Sequence, residues 1–362
     1  AAQVGSFVEV AHDVQVQVVV KSDTGTGGLY SLISTAASVA PSILPDVVVM
    51  NQHDLVDAAE EGLLQPLSSA IPTDAGFFPT AMEAVTVGDE VYAFPYVGKA
   101  EHMAYATEIT GTLPLSWTAV LSGSYPMLFP AGPVDGLASD SLLAIYLGSG
   151  GRVADQNGQP ALDRASLERV YGFFGAMRDA GLLDSESALA LPDAAACWEI
   201  YQSGVGKLTP VPASLFWTSY AEPKGEEETE IIQALPGTVP TASGTQTMIM
   251  KTWGLAVVTQ DPARREAALG LVRWLVSAQH MADLTRVAYL VPTRRAAVDA
   301  WPLDFQGTVA FADLLSNSVA PLLPSVDSTV RRALQAGLTA LLQREADSAE
   351  AAASLALTTL RR

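Results

Sequence analysis

The stretch Val91-Tyr92-Ala93-Phe94-Pro95-Tyr96-Val97-Gly98-Lys99-Ala100-Glu101-His102-Met103-Ala104-Tyr105 decides how the chain is divided. It opens as an aromatic, β-prone run, stops at Pro95, resumes through Gly98, gathers Lys99, Glu101 and His102, and turns apolar again. Proline fixes φ and withholds a backbone donor, so it is expected at a strand end or edge and not inside a central ladder. The reading is a strand that changes sheets near Pro95 and crosses from one domain to another past a ligand site.

Length agrees with that division. At 362 residues the chain exceeds one compact core, and at roughly 100–200 residues per domain two domains are expected. Hydrophobic residues make up 49% of the chain, ample for burial, while no apolar run approaches the ~18 residues that would span a bilayer. A soluble globular protein is expected. The 39 acidic and 20 basic residues leave a net charge of -19, which repels a phosphate backbone and argues against nucleic acid. The single cysteine, Cys197, lies at helical spacing in Ala194-Ala195-Ala196-Cys197-Trp198, where it reads as a small buried hydrophobe. Ala1-Ala2-Gln3-Val4-Gly5 has no basic residue and no apolar segment, so it carries no targeting signal. A cytoplasmic protein and an exported one whose signal has been removed both remain open on composition.

Before the crossing stretch, Val4 to His12 reads as the end of a helix. Val14-Gln15-Val16-Gln17-Val18-Val19-Val20 alternates and then turns wholly apolar, as a strand entering a buried sheet does. A helix is expected over Leu29 to Ser38, and Asp46-Val47-Val48-Val49-Met50 follows as a second strand, so this β-α-β unit predicts a parallel sheet. Asn51-Gln52-His53-Asp54 leaves that strand at its carboxyl end, where ligands bind in open α/β sheets. Beyond the crossing, Ser116 is expected to cap a helix from Trp117, and Pro126 to Pro130 reads as a brief strand. Asp163 to Ala180 is the clearest helix, with Leu167, Val170, Tyr171, Phe174 and Met177 on one face and Gly181 as its stop. The five glutamates of Glu222 to Glu230 read as a solvated loop. Gly254-Leu255-Ala256-Val257-Val258 is another apolar strand, and the helix after Asp261-Pro262 packs Ala268, Leu271, Val272 and Leu275 on one face.

The catalytic inventory is close to empty. Asp23-Thr24-Gly25 is half of an aspartic-protease site with no second half, and Gly25-Thr26-Gly27-Gly28 lacks the spacing of a dinucleotide loop or a P-loop. His12, His53, His102 and His280 show no metal-ligand spacing, so no metal and no cofactor are expected. No Gly-x-Ser-x-Gly elbow is present. What stands out instead is a set of aromatics beside polar groups: Tyr92, Tyr96, Trp217, Tyr220, Trp253 and Tyr289. Trp and Tyr offer a flat apolar face with a polar edge, which suits sugars and cationic groups. Trp117 and Trp198, at core spacing on helices, read as packing.

In order along the chain, Phe7 to Val16, Leu44-Pro45-Asp46-Val47-Val48-Val49, Gly62-Leu63-Leu64-Gln65-Pro66-Leu67, Val91 to Tyr96, Pro114-Leu115-Ser116-Trp117, Gly150-Gly151, Gly204 to Lys207, Trp253 to Val257 and Leu290-Val291-Pro292-Thr293-Arg294 resemble the extracellular solute-binding proteins of bacterial ABC importers, in particular family 1, the sugar-binding group that is maltose-binding-protein-like. The resemblance implies an α/β, two-lobed periplasmic-binding-protein fold of type II, each lobe a mostly parallel sheet flanked by helices, with a ligand cleft between. Lobe one would take 1–96 and 251–298, with the family's first strand absent, and lobe two 97–250 and 299–362. The function implied is capture of a small polar solute, a mono- or oligosaccharide, by hinge closure, and its delivery to ABC permease membrane subunits. No catalysis, no cofactor and a monomer are expected. Export follows from the family, to the periplasm or to a lipid anchor at the cell surface. Where the family carries a C-terminal aromatic after Pro-x-x-Pro, this chain has Pro321-Leu322-Leu323-Pro324 and then Val330 and Arg331, so maltodextrin specificity is not implied.

The expected ligand residues are Asn51, His53, Asp54, Trp253 and Tyr289 from lobe one, Asp135, Ser214, Trp217 and Tyr220 from lobe two, and Tyr96, Lys99 and Glu101 at the crossing. Aromatics would stack, Asp and Asn would bond hydroxyls, and Lys99 would pair with Glu101 or meet an anionic ligand. Three rivals remain: the same fold binding a polyamine, amino-acid derivative, peptide or phosphate ester; a hydrolase or transferase acting through Asp135 with Glu101; and a sensor domain feeding a receptor.

Overall fold

The computed structural model describes residues 2–22, 27–72, 74–109, 113–221, 234–244, 247–301 and 308–362. Asp23-Thr24-Gly25 and the loop Glu222 to Glu230 lie outside the described residues. The fold is mixed α/β. Two compact units are present, one formed by Ala1–Lys99 with Lys251–Thr308 and the other by Ala100–Met250 with Val309–Arg362. In chain order the strands described are β1 (Val47–Asn51), β2 (Thr86–Val87), β3 (Glu90–Val91), β4 (Ala93–Ala106), β5 (Leu208–Pro212), β6 (Ala234–Gly237), β7 (Met248–Val257), β8 (Val291–Pro292) and β9 (Ser318–Val319). The unit boundary falls inside β4, after Lys99, and inside β7, after Met250. Pro95 therefore sits within β4 and not at its end.

In the first unit, β1 buries Val48 and Met50 on one face and leaves Val49 exposed on the other, and it pairs antiparallel with β7 from Val47 opposite Val257 to Asn51 opposite Trp253. The helix Leu29–Val39 turns Ile33 and Ala36 inward, and Ile33 joins Val48, Met50, Leu55, Ala58, Val85, Ala93 and Ala256 in one core. Gly254 is required by that packing: a Cβ there would stand 2.6 Å from Ala93 Cβ and 2.9 Å from Val85 Cγ1. The helix Ala2–Val10 brings Phe7 edge-on to Trp274, ring centres 5.9 Å apart.

In the second unit, β4 pairs antiparallel with β5 over Glu101 to Tyr105 and with β6 over Met103 to Ala106, and the first residues of β7 pair parallel with β9. The helix Arg164–Asp179 starts where the Asp163 carboxylate accepts the Ser166 amide at 2.8 Å, and it buries Leu167, Val170, Tyr171, Phe174 and Met177 at the predicted spacing. Two long helices, Pro324–Leu342 and Ala349–Leu360, pack against it. Gly337 gives Tyr171 room, since a Cβ would meet the phenol oxygen at 2.4 Å. Arg331, buried in the first of these helices, donates to Asp327 at 2.6 Å, Asp140 at 2.7 Å and the Ala138 carbonyl at 3.0 Å. Burial by itself would lower its pKa; the two carboxylates outweigh that and raise it, so the cation stays charged where it stands.

Three local expectations are corrected. Val14–Val20 is not a strand: nothing described pairs with it, and Val18, Val19 and Val20 are 60%, 62% and 89% exposed. A strand exists only by pairing, so an alternating pattern without a neighbouring edge stays an open segment. Strand direction is corrected with it. Of the described ladders, β1–β7, β2–β3, β4–β5, β4–β6 and β4–β8 run antiparallel and β7–β9 parallel, because short returning strands line the crossing strands where β-α-β repeats were expected. Pro126 to Pro130 contributes a single bridge, Met127 to Leu208, and no strand.

Candidate functional site

The first unit gathers five of the twelve expected ligand residues, Asn51, His53, Asp54, Trp253 and Lys99, at one end of β1. Asn51 closes β1 and caps the helix Gln52–Glu60: its Oδ1 accepts the Asp54 amide at 3.0 Å while its Nδ2 donates to Asp54 Oδ2 at 3.1 Å. This reciprocal cap holds both side chains still at a positive helix end, with His53 between them. Trp253 lies directly across the ladder from Asn51 and is half-buried. Lys99, exposed on β4, stands with its Nζ 5.2 Å from the centre of that ring. Backbone pairing thus places an amide and a carboxylate beside an indole, and a cation sits over the indole.

Tyr96 and Tyr289 belong to the same unit. Tyr96 is half-buried, its backbone carbonyl accepts Thr293 Oγ1 at 3.3 Å, and burial pushes its phenol above the ordinary range. Tyr289 ends the helix Ala278–Ala288 with φ 51, a left-handed conformation that favours glycine, two residues before β8. β8 in turn pairs with Val97 and Gly98 of β4.

The second unit treats its expected residues differently. Glu101 and His102, successive on β4, point to opposite faces of the strand. Glu101 is half-buried and accepts a hydrogen bond from Ser141 Oγ. Ser214 is half-buried near the start of the helix Ala213–Ala221, and its carbonyl accepts Thr218 Oγ1 at 2.7 Å. Trp217, on the same helix, is 5% exposed: its ring meets Phe311 edge-on at 4.7 Å and Phe216 at 5.5 Å. Asp135 is exposed on a tight turn, with φ 52 and Gly136 at φ 76 after it. The Tyr220 side chain lies outside the described residues.

One feature that sequence reasoning did not assign is the role of His102. It is 1% exposed, edge-on to Phe216 at 4.8 Å and to Phe311 at 5.6 Å. Its Nδ1 lies 2.9 Å from the Met103 carbonyl oxygen, which can only accept, so the proton is on Nδ1 and Nε2 is left with no described partner. Burial lowers its pKa to about 4, against a smaller opposing effect of the Met103 bond, and the ring is neutral at pH 7. The signal in the sequence was position: His102 falls on the apolar face of an alternating strand. Cys197 is fully buried, and burial, with Glu101 and Asp193 as lesser causes, pushes its thiol up. Trp117 stacks flat on Phe173 at 5.0 Å, and Trp198 is 3% exposed, both as packing residues.

Among the described residues no group of three or more His, Cys, Asp or Glu side chains comes together as a metal cage, and no helix is long and apolar enough to cross a membrane. Two hollows of about 510 and 530 Å³ lie in the second unit, one beside Arg152, Asp155 and Arg164, the other beside Leu115 and Tyr125. Neither touches an expected ligand residue.

No curated protein matches the chain in sequence. Solved structures do match in fold. The sugar-binding protein MalE from Xanthomonas citri superposes with a TM-score of 0.75 at 17% identity, over 99% of this chain and 93% of that one. A cyclo/maltodextrin-binding protein complexed with maltotetraose gives 0.72 at 18% identity, over 99% and 91%. The cyclic alpha-maltosyl-1,6-maltose binding protein from Arthrobacter globiformis gives 0.68 at 15% identity, over 99% and 95%. Likeness at this identity establishes fold, and the fold is the two-lobed α/β fold of maltose-binding proteins. In sequence, the profile of the bacterial extracellular solute-binding proteins matches residues 6–312. The chain therefore belongs to the bacterial extracellular solute-binding protein family.

Proposed function

We propose that this member binds a neutral, hydroxyl-rich solute, a mono- or oligosaccharide, without catalysis, and hands it to the membrane subunits of an ABC importer. The single observation that carries the sugar reading is the half-buried Trp253 ring set across the ladder from Asn51, whose side chain is locked to Asp54. An aromatic face beside fixed amide and carboxylate groups matches the alternating C–H faces and hydroxyls of a sugar ring. Tyr289 supports it: a bulky residue held where glycine is favoured is strain retained for the side chain's sake. Lys99 would move off the ring or bond a sugar hydroxyl as ligand enters.

The proposal draws Glu101, Asp135, Ser214, Trp217 and Tyr220 from the second unit as the complementary surface, and Tyr96, Lys99 and Glu101 as the segment about which the two units close on the solute. The lobe limits 1–96 with 251–298, and 97–250 with 299–362, place the turning points within a few residues of Tyr96 and Trp253. Export to the periplasm, or to a lipid anchor on the outer surface, belongs to the same reading. That several fold neighbours are named for maltose or maltodextrin binding supports a glycan ligand. Calorimetric titration with glucose, maltose, maltotriose and larger maltodextrins, beside spermidine and glucose 6-phosphate, tests the class. A sugar is expected to bind and Trp253→Ala to weaken it by roughly five- to a hundredfold, taking ring stacking on an aromatic face to contribute about 1–3 kcal/mol, as it does for nucleobases. Binding of spermidine or the phosphate ester with no sugar binding overturns the reading.

A further inference from the structure

With 39 acidic residues against 20 basic, the surface of this chain gathers cations. The Trp253 indole, with the Asp54 carboxylate tied to its ladder neighbour Asn51, has the groups of a cation site as much as those of a sugar site. A π face binds ammonium groups, and a carboxylate near it pairs with them. The indole and the carboxylate by themselves do not choose between the two classes.

Lys99 does. On β4, Val97 and Gly98 are tied to β8, Gly98 and Ala100 are buried, and the alternation of the strand turns Lys99 outward between them. From that anchored backbone its Nζ reaches 5.2 Å from the centre of the Trp253 ring, inside the ~6 Å range of a cation–π contact. The contact described for this ammonium is the ring and not a carboxylate. All of these residues lie in the first unit.

We propose that Lys99 is a specificity-determining residue: its ammonium holds the place on the indole that a cationic solute would take, so the site admits neutral, hydroxyl-rich solutes and refuses cations. This rests on the reading of Trp253 as the ligand face. Two effects act together. A tethered ammonium competes for the ring at an effective concentration of roughly millimolar order, so a free cation has to displace it. A cation that settles beside it instead meets a like charge a few ångströms away. Neither effect weighs on a sugar. An ammonium has only donors, so it can leave the ring and bond hydroxyl oxygens, whereas a polyamine brings it nothing but further donors.

Loss of this charge should therefore change the class of solute that binds. Choline and spermidine are the probes, titrated calorimetrically beside maltose and maltotriose. The parent and Lys99→Arg, whose guanidinium also stacks on an indole, are expected to refuse both cations. Lys99→Gln is expected to bind choline about tenfold more tightly than the parent does, with no gain for either sugar. Lys99→Met, which keeps the stem and loses the charge, should repeat that gain, and equal thermal midpoints show that the fold is kept. Adding Trp253→Ala to Lys99→Gln should abolish the gain, which separates capture at the ring from the general attraction of cations to an acidic protein. Choline binding no tighter in Lys99→Gln and Lys99→Met than in the parent overturns the proposal. So does a gain that survives Trp253→Ala, or one that Lys99→Arg shares. Failure of the sugar reading is a separate result: it is a parent that binds no sugar, however choline behaves in the variants.

Discussion

His102 shows what burial does to a single titratable group. Its pKa is 6.5 in an unfolded chain and about 4 in the fold. Between those values the unfolded state holds a proton that the folded state does not, so stability is full above pH 6.5 and falls as pH drops toward 4. The window costs up to about 3 kcal/mol, and about 2 kcal/mol of it is lost between pH 7 and pH 5. Urea unfolding at those two pH values should show His102→Phe losing correspondingly less than the parent, with the edge-on contacts to Phe216 and Phe311 kept. An equal loss in both proteins would mean that the ring is protonated in place. Tyr289 makes the opposite case, a residue whose backbone is unfavourable and whose side chain is retained. Tyr289→Gly should keep stability or raise it by up to about 1 kcal/mol, while weakening solute binding. Unaltered affinity would assign the ring to packing alone.

Among elements, β7 shows how little space an apolar strand leaves. Gly254 passes so close to Ala93 that a methyl group would overlap its Cβ, with Val85 and Leu55 close behind. Gly254→Ala should therefore destabilise the first unit by about 1–3 kcal/mol, read as a drop in the urea midpoint. Asn51, which ends β1 and caps the next helix, depends on the same register, because Trp253 is the neighbour of Gly254. A shift in that strand moves the indole relative to Asn51, so Gly254→Ala should also weaken solute binding. The helices are more autonomous. Ser116, Ser139, Asp163, Asp184, Asp193 and Asp261 each cap one by accepting the amide three residues on, a bond that requires nothing from the rest of the molecule.

At the scale of the whole molecule, the chain is divided so that each unit borrows a second stretch from the far end of the sequence, after Met250 for one and after Thr308 for the other. A ligand that binds only the folded protein adds RT ln(1 + [L]/Kd), about 2.7 kcal/mol at a hundredfold excess over Kd. A bound sugar should therefore raise the thermal midpoint by a few degrees, and with tenfold weaker binding Trp253→Ala should show about half that rise at the same concentration. An undiminished rise in that variant would place recognition away from the indole. Arg331, where the aromatic expected by resemblance is replaced, is enclosed by Asp140, Asp327 and the Ala138 carbonyl. It ties the helix Pro324–Leu342 to Asp140 at the start of another helix of the same unit, which accounts for its presence by structure.

What the sequence determined by itself was whatever depends on neighbours along the chain. Helix starts at Ser116 and Asp163, the buried face from Leu167 to Met177, the burial of Cys197 and the membership of a solute-binding family were all legible, because caps, helical spacing and ordered motifs are local. The cluster of Asn51 and Asp54 was legible in part, since position at a strand's carboxyl end names the loop but not the indole across the ladder. Only the tertiary structure decided between chemically identical candidates. Trp217 and Trp253 looked alike in sequence, yet one is enclosed by Phe216 and Phe311 and the other stays half-open under Lys99. Val14–Val20 and Val47–Asn51 both read as strands, and only the second is one, because β7 lies beside it. The physical reason is the same in both cases: burial and strand pairing belong to pairs of distant segments, and a pattern along one segment does not contain its partner.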